Sequence, residues 1–183
     1  MCGKIDAAGV APCPRRVSRS MAMNPMRPVI RPAREDDVPL ILSLIRELAD
    51  YERLLDTVVA TEDRLRSTLF GKRPAAEVLI ATVDDKPAGF ALFFQNYSTF
   101  LAQPGLYLED LFVRPDVRGC GIGRALLTRL AAIAIERNYG RMEWSVLDWN
   151  EPAIKFYVSL GAKRLDDWRT FRLTGAELAN MAR

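Results

Sequence analysis

The chain has 183 residues, 49% of them hydrophobic and 27% charged, which suffices to bury one sizeable core and matches an ordinary globular protein. It contains no histidine, which excludes Ser–His and Cys–His dyads, removes the commonest zinc ligand, and leaves proton transfer to carboxylates, tyrosine, lysine, cysteine or water. The net charge of +3 sits wholly in residues 1–26, where Lys4, Arg15, Arg16 and Arg19 face Asp6; residues 27–183 hold 22 bases and 22 acids, so nothing in their charge favours nucleic acid or an anionic membrane.

Residues 1–26 show no periodicity and scatter Pro, Gly, Ser and Arg, so they read as a disordered extension ahead of one domain at 27–183. Arg15-Arg16 is not followed by the apolar run an export signal needs. Three cysteines, two of them within the first 13 residues, set out no disulfide framework and no metal-ligand spacing. They point to a reducing, cytoplasmic setting and no bound metal.

Val29 to Ala33 reads as a first strand. Asp36 or Asp37 then caps a helix to about Arg53, with Val38, Ile41, Leu44, Ile45 and Leu48 on one apolar stripe. Thr61 caps a shorter helix through Phe70. Glu77–Val83 and Ala88–Gln95 form a hairpin about the turn Asp84-Asp85-Lys86-Pro87, and Asn96 to Gly105 is a loop. Leu108 to Val113 is apolar on both faces apart from Glu109 and Asp110, so it reads as a central strand, stopped by Pro115. Gly119, Gly121 and Gly123 follow, and a helix runs from about Gly123 to Arg137. Arg141–Leu147 is a further strand. Pro152 opens a helix to Leu160, capped by Asn150 and stopped by Gly161, and Lys163–Leu173 supplies one or two last strands.

This order predicts an α/β (α+β) domain: a mixed, mostly antiparallel sheet with helices on both faces and a ligand at the strand-to-helix step. There the glycines let the backbone approach a bulky group, and the following helix offers its free amides, which makes an anion site suited to phosphate. Gly123-Arg124-Ala125 lacks the Gly-Lys-Ser/Thr of a Walker A loop, and G-x-G-x-G is not the dinucleotide spacing.

Arg118-Gly119-Cys120-Gly121-Ile122-Gly123 resembles the R/Q-x-x-G-x-G/A pyrophosphate loop of the GNAT acetyltransferases. The likeness extends from about residue 28 to the end. YLEDLFV at 107–113, the stretch from Trp149 to Tyr157 with Gly161-Ala162, Arg31-Pro32-Ala33 and the stretch from Leu48 to Glu52 are similar to the spermidine/spermine (diamine) branch and its thialysine-acetylating relatives.

The resemblance implies the GNAT fold, acetyl-CoA as donor and a primary amine as acceptor, taken as a diamine, polyamine or lysine analogue such as thialysine. Leu111, Phe112 and Val113 then lie along the pantetheine arm, where a backbone amide can serve the oxyanion. Arg118, Gly119, Cys120, Gly121, Ile122, Gly123 and Arg124 hold the pyrophosphate, and Asn150, Pro152 and Ala153 complete the coenzyme site. Glu109 is the candidate base, since an alkylamine of pKa about 10.4 arrives protonated; a carboxylate in a strand also needs a partner, for which Arg114, Arg141 or Lys163 are available. Asp110 points to the other face and reads as structural. Tyr157 is the candidate acid for the departing thiolate. Cys120 lies where a thiol would be acidified, but its side chain would point at phosphate, not at the acetyl group. Tyr51, Glu52, Glu143, Trp144 and Ser145, together with Glu109, are expected to line the amine site.

The resemblance also implies a homodimer, and the neutral charge of residues 27–183 argues against a nucleic-acid or membrane partner. Competing readings are an acetyltransferase for antibiotic or protein amino groups, and an acyl-CoA-binding sensor without turnover.

Overall fold

The computed structural model describes residues 27–183, so the disordered extension expected for 1–26 lies outside it. Two compact units divide the described chain, one ending at Ser145 and one running from Val146 to Arg183.

The first unit is built on a five-stranded sheet in the order β1-β2-β3-β4-β5, where β1 is Val29–Pro32, β2 Glu77–Val83, β3 Lys86–Ser98, β4 Gln103–Val113 and β5 Met142–Trp144. The first three pairings are antiparallel and β4–β5 is parallel, the mixed sheet that the element order predicts. The β2–β3 hairpin turns on two residues, Asp84 and Asp85, with φ of 49° and 59°. Aspartate tolerates the left-handed region and a two-residue turn with both φ positive matches strand twist, so β3 starts at Lys86, two residues before the expected Ala88. The expected Asn96–Gly105 loop is also shorter: pairing continues to Ser98↔Gln103. The spacing marked the connection, and cross-strand pairing trimmed it.

Helix α1 (Val38–Tyr51) follows a short 3₁₀ turn at Glu35–Asp37. Asp37 serves that turn rather than α1: its carboxylate accepts from the Arg34 amide and takes the Arg31 guanidinium bidentately at 2.7 Å. Helix α2 (Glu62–Leu69) is capped as expected, Thr61 Oγ1 accepting from the Arg64 amide at 3.3 Å. Val38, Ile41, Leu44 and Leu48 of α1 and Leu65 and Leu69 of α2 pack on Val78, Ile80, Phe90 and Phe112 of one sheet face. Each such aliphatic side chain, once buried, is worth roughly 1.5–3 kcal/mol. Helix α3 (Ile122–Glu136) buries Ile122, Leu126, Leu130 and Ile133 against the opposite face, to which the alternating residues Leu79, Ala81 and Phe93 point.

The end of α1 is fixed by its own backbone. Arg53 takes a left-handed φ of 62°, its amide donates to the Asp50 carbonyl, and the Leu54 amide donates to the Ala49 carbonyl. This pair of bonds is the Schellman closure, with an arginine where glycine is usual. It holds Tyr51 and Glu52 at a defined corner.

The second unit holds α4 (Glu151–Ser159) and α5 (Gly175–Met181). Gly161, at φ 91°, ends α4 as expected. Two strand expectations are corrected. Arg141–Leu147 is a strand only over Met142–Trp144, and Lys163–Leu173 forms none. Trp168 is 74% and Phe171 93% exposed, so no sheet face buries that segment's apolar residues, and a strand without a ladder or a packed face has nothing to hold it.

Candidate functional site

The site in the first unit starts from a miscount between two strands. Leu92 of β3 pairs with Asp110 of β4, but Phe93 pairs with Leu108. Glu109 is therefore the extra residue of a β-bulge, which re-aims side chains and interrupts the ladder. Past that point β4 is also open on its other side, because β5 pairs only with Leu106, Tyr107 and Leu108. Residues 109–113 thus present an edge that no strand pairs among the described residues, its Val113 carbonyl taken by Arg118 Nε, where Leu111 and Val113 are half-buried and the Phe112 side chain is packed against α1. An extended ligand arm can add to such an edge as a strand would.

The bulge decides where the two carboxylates stand. Glu109 is exposed, and neither first-unit cation considered for it is its partner. Arg114 binds Glu47 of α1 through Nε at 2.9 Å and Nη2 at 2.7 Å. Arg141 has its Nε 2.9 Å from Glu143 Oε2, an ion pair without hydrogen-bond geometry. Asp110 shares the α1 side of the sheet with Phe112, two residues on. Burial pushes its pKa up to about 6, with the neighbouring charges of Glu109 and Glu52 adding to the rise. Glu52 is itself raised, by burial. A carboxylate whose every influence opposes ionisation does not stabilise the fold, so the structural role expected for Asp110 does not fit its surroundings. Strict alternation hides this residue; only the bulge reveals it.

The loop after β4 forms the other half. A 3₁₀ turn at Pro115–Val117 leads to Arg118, then Gly119 at φ 77° and Gly121 at φ 83°. Gly121 occupies the N-cap of α3 and brings no side-chain acceptor, so the amides from Ile122 on keep their N-terminal field for a ligand. A Cβ added at Gly121 would meet nothing within 4 Å; the cradle opens outward there. Beside it a groove of about 500 Å³ is lined by Cys120, Gly121, Arg124, Ala125 and Thr128. These features fit a pyrophosphate with an attached nucleotide. Gly121→Ala is expected to cost about 1–2 kcal/mol through its φ alone and to weaken coenzyme A binding about 10-fold, read by calorimetry, by tilting the loop amides.

Other expected positions are more committed than the sequence suggests. The Glu143 carboxylate accepts from Asn96 Nδ2 at 3.0 Å besides pairing with Arg141. Ser145 Oγ shares a 2.9 Å hydrogen bond with the Tyr107 hydroxyl. Trp144 is half-buried opposite Leu108, at the last rung before the bulge.

In the second unit, Asn150 is buried and its Oδ1 accepts from the Ala153 amide at 3.3 Å, capping α4 with Pro152 in the first turn. Tyr157 lies two turns along that helix, half-buried, its ring 5.5 Å from that of Phe156.

Residues 43–162 match the Acetyltransferase (GNAT) family. The chain is 37% identical to an L-ornithine N5-acetyltransferase of Arabidopsis thaliana, over 81% of this chain and 85% of that protein. It is also 37% identical to a thialysine N-epsilon-acetyltransferase of Bos taurus, over 84% of this chain and 96% of that one. Among solved structures, an integron cassette protein of V. cholerae superposes with a TM-score of 0.72 at 29% identity, covering 85% of this chain and 98% of its own.

Proposed function

Because the chain belongs to the GNAT acetyltransferase family, whose co-substrate is acetyl-CoA, and is an amine N-acetyltransferase, we propose that it acetylates a terminal amine of a small molecule bearing two amino groups. Ornithine, thialysine, lysine and the diamines and polyamines share that chemistry. The observation that carries the reading is the meeting of Glu52, Glu109 and Asp110 beside the open edge of β4. Three acids, two of which oppose the ionisation of the third, suit a dication, whose two charges they neutralise on binding. Relatives named for ornithine and thialysine acetylation lend support.

When bound, acetyl-CoA supplies an activated acyl group. The glycine loop and the start of α3 hold its pyrophosphate, and the edge at 111–113 orients its arm. Glu109 takes a proton from the ammonium group, which frees the nitrogen lone pair to form the N–C bond. Asp110, whose pKa burial pushes up to about 6, stands next to Glu109 as a second group that can carry the proton. Tyr157 returns a proton to the sulfur as the C–S bond breaks, and the second proton that the nitrogen sheds as the amide forms restores the tyrosine.

The test is mass spectrometry of products from acetyl-CoA and a mixed pool of ornithine, thialysine, lysine, putrescine, spermidine, an aminoglycoside and a peptide. The expected products are mono-acetylated compounds with two amino groups. Preferential acetylation of the aminoglycoside or the peptide would overturn the reading. Tight coenzyme binding with no product at all would establish a sensor instead.

A further inference from the structure

Two arginines of the loop between β4 and α3 reach the same stripe of α1. Arg114 grips Glu47 with two hydrogen bonds. Four residues later, Arg118 lies over Tyr51, which is itself four residues, one helical turn, past Glu47: its Cζ is 4.4 Å from the ring centroid. The Arg118 guanidinium is occupied on other sides too. Its Nε donates to the Val113 carbonyl at 2.9 Å, and the Phe112 ring is 5.8 Å away. Arg118 therefore spends its planar cation on the end of β4 and the end of α1, near the carbonyls that favour a positive charge.

We propose that Arg118 is a positioning residue for the acceptor segment, clamping Tyr51-Glu52 to the coenzyme loop, rather than a ligand of the pyrophosphate. The clamp joins the two binding regions directly: the guanidinium's edge bonds the Val113 carbonyl at the end of β4, and its face meets the Tyr51 ring at the helix corner that carries Glu52. The loop has its own turn at Pro115–Val117 and runs directly into α3, so the clamp orders the corner more than it orders the loop. Lysine cannot replace it, because an ammonium has no flat face to stack and its donors all sit on one nitrogen, which cannot cover Tyr51 and reach Val113 at once. The inference rests on Tyr51-Glu52 being the acceptor segment.

The test uses the full chain with Arg118→Lys, Arg118→Gln, Tyr51→Leu, Tyr51→Phe and the double variant Arg118→Lys/Tyr51→Leu. Hydrogen exchange of amides 49–54 is read without ligand, and amine KM and coenzyme A Kd separately. Each variant that breaks the stack is expected to speed exchange about 5-fold and raise amine KM by a similar factor, as a cation–π contact of ordinary strength implies. Coenzyme A Kd stays within about 2-fold, Tyr51→Phe, whose ring can still stack, exchanges more slowly than Tyr51→Leu, and the double variant is no worse than either single one. Unchanged exchange with coenzyme A Kd raised about 10-fold or more would overturn the proposal and make Arg118 a phosphate ligand. Additive effects in the double variant would also overturn it. Exchange reads the clamp without turnover, so a chain that acetylates no diamine yet shows the expected exchange refutes the acceptor reading and leaves the clamp standing.

Discussion

Glu109→Gln and Tyr157→Phe are each expected to lower kcat for amine acetylation by about 10²- to 10⁴-fold, the usual worth of a positioned acid or base. Coenzyme A Kd should stay within about 2-fold in both, because neither side chain belongs to the glycine cradle. The two variants differ in their pH dependence. Without its base, Glu109→Gln must draw on amine already deprotonated in solution, so its rate should keep climbing as pH rises toward the amine pKa of about 10. Tyr157→Phe loses the proton donor for a thiolate of pKa about 8.5, so its deficit should narrow as pH rises above that value, where the departing sulfur no longer needs a proton. Loss of coenzyme binding in either variant would sink the assigned role. So would a pair of identical pH profiles.

Asp110→Asn is expected to gain stability and lose activity together. Asp110 has a folded pKa of about 6 against an ordinary value of 3.8. The folded state thus binds this proton more tightly than the unfolded chain does. Below about pH 4 both states carry it and no penalty exists. As pH rises through the interval up to 6, the unfolded state ionises first and the fold loses stability, fully so above 6. Replacing the acid removes that penalty. At pH 7.5 the variant should be more stable by on the order of 1–3 kcal/mol, which raises Tm by roughly 2–4 °C per kcal/mol in a chain of this size. At pH 4 the two melting curves should coincide. Activity should fall about 10-fold or more, and the rising limb of kcat/KM near pH 6 should disappear. A variant less stable than wild type at pH 7.5 would mean that Asp110 has a stabilising partner after all. The opposite sign holds for Glu47, whose pKa Arg114 lowers: that ion pair supports the fold at neutral pH and is lost as the carboxylate protonates in acid.

Retaining a carboxylate that the fold would be better without is the pattern of a functional site. Here the cause can be named. The bulge at Glu109 removes one step of alternation, so Asp110 faces α1, whose corner carries Glu52, and the two acids of the YLED stretch act on one another.

What could be read from the amino acids alone was what neighbours in the chain decide. Thr61 and Asn150 cap their helices, Gly161 ends one, and Gly119 and Gly121 adopt the positive φ that the loop requires. The order of strands and helices, and with it the mixed sheet and the anion cradle, follows from periodicity and turn chemistry, which act over a few residues. Tertiary structure alone decided what depends on partners distant in sequence. The register between β3 and β4 sets the bulge, and a one-residue offset changes which face a side chain meets. Arg114, available on paper to Glu109, lies with Glu47, 67 residues away. Arg118, which reads as a phosphate ligand by its place in the glycine motif, stacks on Tyr51. Lys163–Leu173, with enough β-prone residues for a strand, forms none because no ladder takes it up. Backbone preference is local, whereas burial, charge pairing and register belong to the assembled chain.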